Sequence, residues 1–456
     1  MADGATPTIV FHRSFIVPVE DLRWLMWNGG VLAFYWAVLA YCYVNSVSPI
    51  NASDTQMYLR VNLIKVVEGI IWAIIFLPTI NTNWRRPSDL GFTILYFLGL
   101  VPTLIIFGLA DQLRSTMYTI LAGYLAVYIG CRVPIRIPYI RLLQGGRSGI
   151  YLAATGVLVV AAWFFTHADR SSYNIDIGAM YDYRTDAVGL FDVGPLHKIA
   201  AWVPKVLNPF LFCFFLLRKK WTLFTLTFAF QLFSLVIFQQ KSVLIPCLVL
   251  PLLYFAPAGR QARIWFIFSL AASIIVCEIF YEAYGFRFFL QFWTRRFFFV
   301  PQFLYFNYFD VFQKIGLVYF SDSLLKWIFH YPFLYPPGSM VSYYTFGSPD
   351  INANTGFLGA GYMEFGRIGV VVTGLIAGLV LKLFDRTVSS DIPMWFFSVV
   401  AFSPFMAMLV LQNFTIAIIG TGGVDMLLVL MLCTNNLDYG PRAKRSVSPG
   451  DEMHSG

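Results

Sequence analysis

Long apolar stretches alternate with short polar ones along almost the whole chain. A helix needs about 20 mostly apolar residues to cross the hydrocarbon core of a bilayer. The pattern predicts an all-α fold, a polytopic membrane bundle of about 12 transmembrane helices. We expect one transmembrane domain over residues 1–437 and a disordered cytoplasmic tail over 438–456. The predicted spans are 24–44, 61–80, 91–110, 116–131, 149–166, 199–217, 221–238, 241–256, 264–281, 366–384, 393–412 and 422–434.

Composition excludes several classes of protein. Hydrophobic residues make up 58% of the chain and charged residues only 12%, and the mean hydropathy is +0.68. A soluble fold of this length needs more charge, so this is a membrane protein. No compact basic domain carries the net charge of +8, and we therefore expect no nucleic-acid partner. The spacing of the six cysteines matches neither a zinc site nor a disulfide framework, and no metal or cofactor is expected.

Basic residues predict the orientation of the chain. They cluster between particular spans, and the cytoplasmic loops of membrane proteins are rich in lysine and arginine. With twelve alternating spans every cluster falls on one face, which puts both termini in the cytoplasm. Two long outer loops remain, at about 167–198 and 282–365. The clusters are Arg85–Arg86, Arg132–Arg147, Arg218–Lys220, Arg260–Arg263, Lys382–Arg386 and Arg442–Arg445.

The second outer loop begins with an arginine cluster. Arg287, Arg295 and Arg296 follow a span that ends near Glu282. A guanidinium binds phosphate oxygens bidentately and keeps its charge at any working pH, so three of them beside a bilayer suit a lipid diphosphate. The alternative is that they extend to lipid phosphates or pair with Glu282. Further basic candidates for binding the substrate are Arg184 and Lys241.

Residues 297–320 of the same loop are too aromatic for water, yet they carry Asn307, Asp310 and Lys314. Aromatic rings with polar tips favour the headgroup region. We expect an interfacial or re-entrant helix lying against the bundle. It is either a simple aromatic anchor or one wall of a groove for a lipid tail.

The loop ends in a polar run of small residues. Asn352 and Asn354 could hold sugar hydroxyls, or the run could form a turn and cap the next helix through Asp350, Asn354 and Thr355. A transfer reaction also needs a group that positions or deprotonates a hydroxyl. The candidates for this base are Glu282, His330, Glu364, Asp182 and His197.

Two stretches of this loop resemble a known family. Arg295–Asp310 looks like the segment that follows the middle spans of Wzy-type oligosaccharide repeat-unit polymerases. Asn352–Gly369 looks like the stretch that leads into their next span, although Glu364 replaces a residue that is often neutral there. The layout of many spans with one large outer loop is also similar. Outside about 280–370 the resemblance is one of topology alone.

The resemblance implies a GT-C-like glycosyltransferase of the bacterial inner membrane, with its active site in the periplasm. It would polymerise repeat units linked to undecaprenyl diphosphate into O-antigen, capsule or exopolysaccharide, without a metal, and with or without a chain-length regulator as partner. An O-antigen ligase is the nearest alternative. A transporter or flippase is the alternative of a different class, favoured by Lys65 and Glu68 inside a predicted span, unless these two residues simply pair on one helix face.

Overall fold

A computed structural model describes residues 19–80, 84, 86–134, 147–168, 189–256, 261–323, 325–388 and 392–434. All regular secondary structure in these ranges is helical. The main helices are α1 (Val19–Cys42), α2 (Leu63–Phe76), α3 (Pro87–Leu109), α4 (Arg114–Arg132), α5 (Ser148–His167), α6 (Leu196–Leu217), α7 (Trp221–Phe238), α8 (Ser242–Tyr254), α9 (Gln261–Tyr284), α10 (Val300–Ile315), α11 (Pro337–Phe346), α12 (Phe357–Thr387), α13 (Met394–Leu411) and α14 (Val424–Thr434).

Shorter helical segments complete the described chain. Several of them are π-helical, with i→i+5 hydrogen bonds in place of the α-helical pattern. The short α-helices are Ser48–Thr55, Arg287–Phe289 and Phe414–Ile418. The π-helical segments are Tyr43–Val47, Leu95–Leu100 within α3, Val203–Leu207 within α6, Leu290–Phe299, and Ala407–Leu411 at the end of α13.

Eight helices of the described chain are long and apolar enough to cross a membrane. They are Trp27–Ala52, which continues α1, and α3, α5, α6, α7, α9, α12 and α13. The apolar helices α8 and α14 are shorter, and α2 and α4 occupy the remaining two predicted ranges. The protein is therefore a polytopic helical membrane protein with a helix in every predicted range. The number of twelve spans stays a prediction.

Helices α1 and α9 pack side by side and run in the same direction. The rings of Phe34 and Phe268 lie 5.7 Å apart, and further along both helices the Cys42 thiol donates to the Glu278 carboxylate at 3.0 Å. The C-terminal ends of α1 and α9 therefore mark one face of the bundle, which we call the loop face. The side-chain amide of Gln56, just after the short helix Ser48–Thr55, donates to the carbonyl of Thr345 and so ties α11 to this face.

Glycines let α4 and α12 approach each other closely. A methyl group on Gly123 would meet Leu358 and Val370, and one on Gly378 would meet the carbonyl oxygen of Val127. In a membrane the helices gain nothing from leaving water, so close backbone packing between small residues holds them together. This contact places α4, which occupies the predicted range 116–131, inside the bundle.

The charged residues of α2 make contacts between helices. Lys65 forms an ion pair of 2.6 Å with Asp111, and Arg114 donates to Glu68 at 2.9 Å. The expected pairing of Lys65 with Glu68 is therefore wrong. Both ion pairs join the start of α2 to the turn between α3 and α4, so these charges hold the loop face together. They do not form an isolated site in the middle of the bundle.

The aromatic helix α10 is buried within the bundle, which contradicts an interfacial helix but not a re-entrant helix, the other alternative predicted for this segment. Gln302 and Tyr305 are fully buried. The Gln302 amide donates to the carbonyl of Leu98, in the middle of α3, and the Tyr305 hydroxyl donates to the carbonyl of Leu409 at 3.2 Å. Both acceptors lie in π-helical segments, where the altered bonding leaves carbonyls available to side chains.

Helix α12 changes direction near its start. Phe365 and Gly366 have non-helical backbone angles, and Gly366 has φ of 62°, a value that favours glycine. Gly361 and Gly369, on either side of the break, lie in close contact, and Thr373 approaches the carbonyl of Phe357 at 3.4 Å. Residues 357–364 therefore form a short helix that folds back along 367–387. The predicted span 366–384 begins at this break.

Candidate functional site

Residues 287–299, which we call the arginine segment, turn back into the bundle. Gly285, with φ of 65°, reverses the chain after α9. The rings of Phe289 and Phe280 then lie 5.7 Å apart, and the indole of Trp293 donates to the hydroxyl of Ser273, near the middle of α9, at 2.8 Å. The segment therefore runs antiparallel to α9, from the loop face toward the centre of the bundle.

The three arginines are placed at different depths along this segment. Arg287 is exposed at its beginning, near the loop face. Arg296 is exposed three residues beyond Trp293, and its neighbour Arg295 is partly buried. Within the described residues neither Arg287 nor Arg296 forms an ion pair. A charged side chain at this depth is costly unless it meets water or a counter-ion, which makes the segment a candidate for binding an anion.

The acidic residues of α9 contact α1. The exposed Glu282 accepts a hydrogen bond of 2.9 Å from the hydroxyl of Tyr41, and the buried Glu278 accepts from Cys42 and Ser46. Glu282 forms no ion pair with an arginine of the described chain, so that alternative receives no support. These contacts join the end of α9 at the loop face to the end of α1 and the segment that follows it.

The asparagine run packs across the loop face. The backbone N–H of Ala353 donates to the carbonyl of Gly338 at 3.2 Å, and the Tyr308 hydroxyl donates to the carbonyl of Ala353 at 2.8 Å. Ala353 is buried, while the side chains of Asn352 and Asn354 on either side of it are exposed. They are therefore held in fixed positions with their amides accessible.

The asparagine run does not cap the following helix. The residue at the N-terminal cap of α12 is Gly356, which has no side chain to offer, and the buried hydroxyl of Thr355 meets no hydrogen-bond partner among the described residues. Capping by Asn354 and Thr355 is therefore wrong, whereas the other part of the structural alternative, a turn, agrees with the 3.0 Å hydrogen bond from the backbone N–H of Asn354 to the carbonyl of Asn352. A capping role therefore does not account for the polar side chains of Asn352 and Asn354.

Glu364 lies at the break in α12. It is 2% exposed, and its carboxylate accepts a hydrogen bond from the backbone N–H of Phe320, while its Oε1 atom has no partner in the described chain. Asp322 lies close enough for its charge to act on Glu364, and its own Oδ1 is likewise buried without a described partner. Burial raises the pKa of the Asp322 carboxyl above its usual range.

Sequence reasoning missed Asp322. It stands alone in an aromatic stretch, and nothing in its spacing indicates that the chain returns to it forty-two residues later, at Glu364. The signal that could have found it is the pair of glycines around Glu364. Gly361 and Gly366 favour a break in the helix, and a break exposes side chains to other segments.

Aromatic rings surround this carboxyl pair. The ring of Phe365 lies 5.7 Å from Tyr319 and 5.5 Å from Phe320. Phe365 is 43% exposed and Tyr319 is 48% exposed, so two partly exposed aromatic residues lie on the same two segments as the carboxyl groups, each of which buries an oxygen atom.

The other candidates lie apart from these groups or outside the described part. His330 is exposed, and His197 lies 3.9 Å from Asp192. Arg184 and Asp182 fall outside the described residues, as does the tail 438–456, and of Lys241 only the backbone is described.

The arginine segment and Glu364 lie at opposite ends of α10. The arginines precede its first residue, Val300, and the loop that contacts Glu364 follows its last, Ile315. A helix rises about 1.5 Å per residue, so these sixteen positions separate the two ends by about 24 Å. Arg296 and Glu364 therefore cannot act on the same atom of a ligand, but they could bind distant parts of one long ligand.

Comparison with known proteins gives no match. No protein-family model, no curated protein and no solved structure matches this chain.

Proposed function

We propose that this protein is a membrane glycosyltransferase that polymerises glycan repeat units carried on undecaprenyl diphosphate, at the periplasmic face of the inner membrane. The observation that carries the proposal is the arginine segment. It takes Arg287, Arg295 and Arg296 from the loop face toward the centre of the bundle, and two of these side chains are exposed. The diphosphate of a lipid carrier is an anion that can enter this segment from the membrane surface, beginning at the exposed Arg287.

The arginines would stabilise the departing diphosphate. When the bond between the donor sugar and the diphosphate breaks, negative charge grows on the phosphate oxygens. Donors that are already in position at that point lower the barrier. Guanidinium groups suit this task because they stay protonated and bind two oxygens at once. No nucleotide is needed, because the sugar diphosphate carries the energy of the reaction.

The attacking hydroxyl must lose a proton close to the donor sugar. Glu282 is the candidate base on this side of the bundle, since it is exposed on α9 shortly before the arginine segment. Glu364 is too far along α10 to act on an atom beside Arg296. We assign it, with Asn352 and Asn354, to binding the sugars. His330 stays a second candidate for the base.

A gel of surface glycans from a deletion strain tests the proposal. A polymerase leaves single repeat units on their acceptor when it is lost, and the plasmid-borne gene restores the ladder. Full-length polymer retained on its lipid carrier would instead identify a ligase. Loss of all outer glycan, with lipid-linked intermediates on the cytoplasmic side, would identify a flippase. Either result overturns the polymerase assignment.

A further inference from the structure

The carboxyl pair of Asp322 and Glu364 has binding capacity that the described part of the fold does not use. Glu364 is almost completely buried, and its Oε1 meets no donor there; the Oδ1 atom of Asp322 is also buried without one. Buried polar atoms are normally hydrogen-bonded, and leaving a carboxyl oxygen without a donor is costly. Two such carboxyl groups, on segments joined by the hydrogen bond from Phe320 N–H to Glu364, indicate a ligand that donates hydrogen bonds to them.

A short loop closes over this pair. Residues 318–323, called the cover loop, connect the end of α10 to the segment before α11. Tyr319 and Phe320 have φ of 55° and 58°, a left-handed conformation that bulky residues rarely adopt. The cover loop is held by two hydrogen bonds, from Phe320 N–H to the Glu364 carboxylate and from Val318 N–H to the carbonyl of Met363 at 2.8 Å.

Strained backbone of this kind persists only where surrounding contacts hold it, and it is frequent at ligand sites. One of the two contacts is the Glu364 carboxylate itself. The free Oε1 atom of Glu364 is buried, so a ligand can reach it only when the cover loop moves aside. The Phe320 N–H donates to Oε2, so the ligand would bind the oxygen that the cover loop leaves free.

We propose that Asp322 and Glu364 form a saccharide subsite, in which sugar hydroxyls donate to the two carboxyl groups when the cover loop opens. The exposed rings of Tyr319 and Phe365 supply the apolar surface on which the C–H face of a sugar ring packs. This inference rests on the proposed function. Beyond that function, the inference names the place where the glycan binds, which is the end of α10 distant from the diphosphate.

The separation along α10 favours a glycan over a single sugar. With the diphosphate at Arg296, a subsite about 24 Å away can be reached only by an oligosaccharide or a growing chain. The ligand class is thus the saccharide part of a lipid-linked repeat unit, whether it belongs to the donor or to the acceptor.

Binding of a free oligosaccharide tests the subsite. The probe is the repeat-unit oligosaccharide released from its lipid by mild acid, titrated onto the purified full chain in detergent micelles. Asp322→Ala and Glu364→Ala should each raise Kd about tenfold, the effect of losing one hydrogen bond to a charged group. Asp350→Asn is the matched control. Asp350 is exposed in the segment between α11 and α12, outside the cover loop, and its carboxylate accepts a hydrogen bond from the hydroxyl of the neighbouring Ser348. Unchanged Kd in both alanine variants overturns the proposal.

Thiol labelling tests the cover loop without measuring activity. Ser321 is 3% exposed, so a Ser321→Cys variant should react slowly with a membrane-impermeant maleimide. Added Glu364→Ala should increase the rate about tenfold, because the Phe320 N–H loses its acceptor, whereas Glu364→Gln keeps an acceptor oxygen and should leave it slow. The oligosaccharide should accelerate labelling of the single variant with a midpoint equal to Kd. Equal rates in all these conditions contradict the proposal.

These results separate the subsite from the proposed function. If the alanine variants bind the oligosaccharide normally while the deletion strain lacks polymer, the subsite is wrong and the polymerase stands. If they lose binding while the deletion strain still makes polymer, the protein binds a glycan there but does not polymerise it.

Discussion

The indole N–H of Trp293 donates a 2.8 Å hydrogen bond to the hydroxyl of Ser273, near the middle of α9. This contact fixes the arginine segment against a helix long and apolar enough to span the membrane. It therefore fixes the depth at which the adjacent Arg295 and Arg296 lie. A segment held at this depth is re-entrant, whereas an ordinary loop would lie above the lipid headgroups.

Replacing Arg287, Arg295 or Arg296 by alanine should reduce polymerisation by about 10²-fold each, because a donor aimed at developing charge contributes about that much. Lysine at the same positions should restore only part of the rate, since an ammonium group cannot bind two oxygens in a fork. Ladder formation from lipid-linked repeat units in proteoliposomes measures the effect.

The matched control is Arg60→Ala. Arg60 is also exposed near the loop face, where its guanidinium lies 5.7 Å from the ring of Tyr58. It should leave the rate unchanged. Normal chain lengths in all three variants of the cluster, at equal protein abundance, would rule out its role in binding diphosphate.

Removing divalent cations should leave the reaction intact. The proposed charge stabilisation comes from guanidinium groups, so purified protein with lipid-linked repeat units should form a ladder in excess EDTA at an unchanged rate. A mutant lacking the three arginines serves as the zero-activity control. If EDTA stops the ladder and added magnesium restores it, the arginines do not act alone on the diphosphate.

The glycine contact between α4 and α12 should be sensitive to a single methyl group. In Gly378→Ala the new Cβ would meet the carbonyl oxygen of Val127, which belongs to a helix backbone and cannot move aside. We expect a loss of about 1–3 kcal/mol in the free energy of unfolding, typical of overpacking. Thermal unfolding in detergent micelles measures it.

Gly30→Ala is the control for the intrinsic effect of alanine in a helix. Gly30 lies in α1, and no atom of the described chain comes within 4 Å of the place where a methyl group would stand, so this change should be neutral or slightly stabilising. A melting temperature for Gly378→Ala equal to that of Gly30→Ala would show that α4 and α12 are packed loosely enough to accept the methyl group.

The pH dependence of stability should reveal Asp322. Burial raises the pKa of this carboxyl in the folded state, so the fold binds its proton more tightly than the unfolded chain does. Stability contributed by the protonated form is present below the ordinary aspartate pKa and is lost as pH rises through the raised value. The melting temperature of the wild type should therefore fall as the pH rises from the ordinary aspartate pKa through the raised pKa of Asp322.

Asp322→Asn removes this titration, so its melting temperature should change less with pH between the ordinary aspartate pKa and the raised pKa of Asp322. Asp350→Asn, at an exposed position of the same loop, should follow the wild-type curve. Identical pH profiles for wild type and Asp322→Asn would mean that Asp322 is solvated in the folded protein.

Hydropathy located the helices because each predicted span is an apolar run, and such runs exclude water in any arrangement of the bundle. It could not place α10. The polar side chains of Asn307, Asp310 and Lys314 favoured the membrane surface, yet Asp310 and Lys314 simply pair with each other at 2.6 Å near its exposed end. The acceptors that stabilise its buried end, the carbonyls of Leu98 and Leu409, depend on backbone geometry that residue identities do not reveal.

The candidate site was predicted in its parts and not in its arrangement. The arginines and asparagines were recognised by chemistry alone, because few residue types bind phosphate or sugar hydroxyls. Their depth depends on the reversal at Gly285, and the pairing of Asp322 with Glu364 depends on the break at Gly366. Each of these two arrangements depends on the backbone conformation of one glycine and on the tertiary contacts that follow from it.

The π-helical segment Leu290–Phe299 also sets the rotational phase of the helix that follows it. An α-helix advances about 100° per residue, so removing one residue from this segment would turn α10 by roughly that angle. Gln302 and Tyr305 would then point away from the carbonyls they now bind. A one-residue deletion there should be far more harmful than any substitution at the same positions, and a sequence alignment with a true relative should show no gap between Arg287 and Val300.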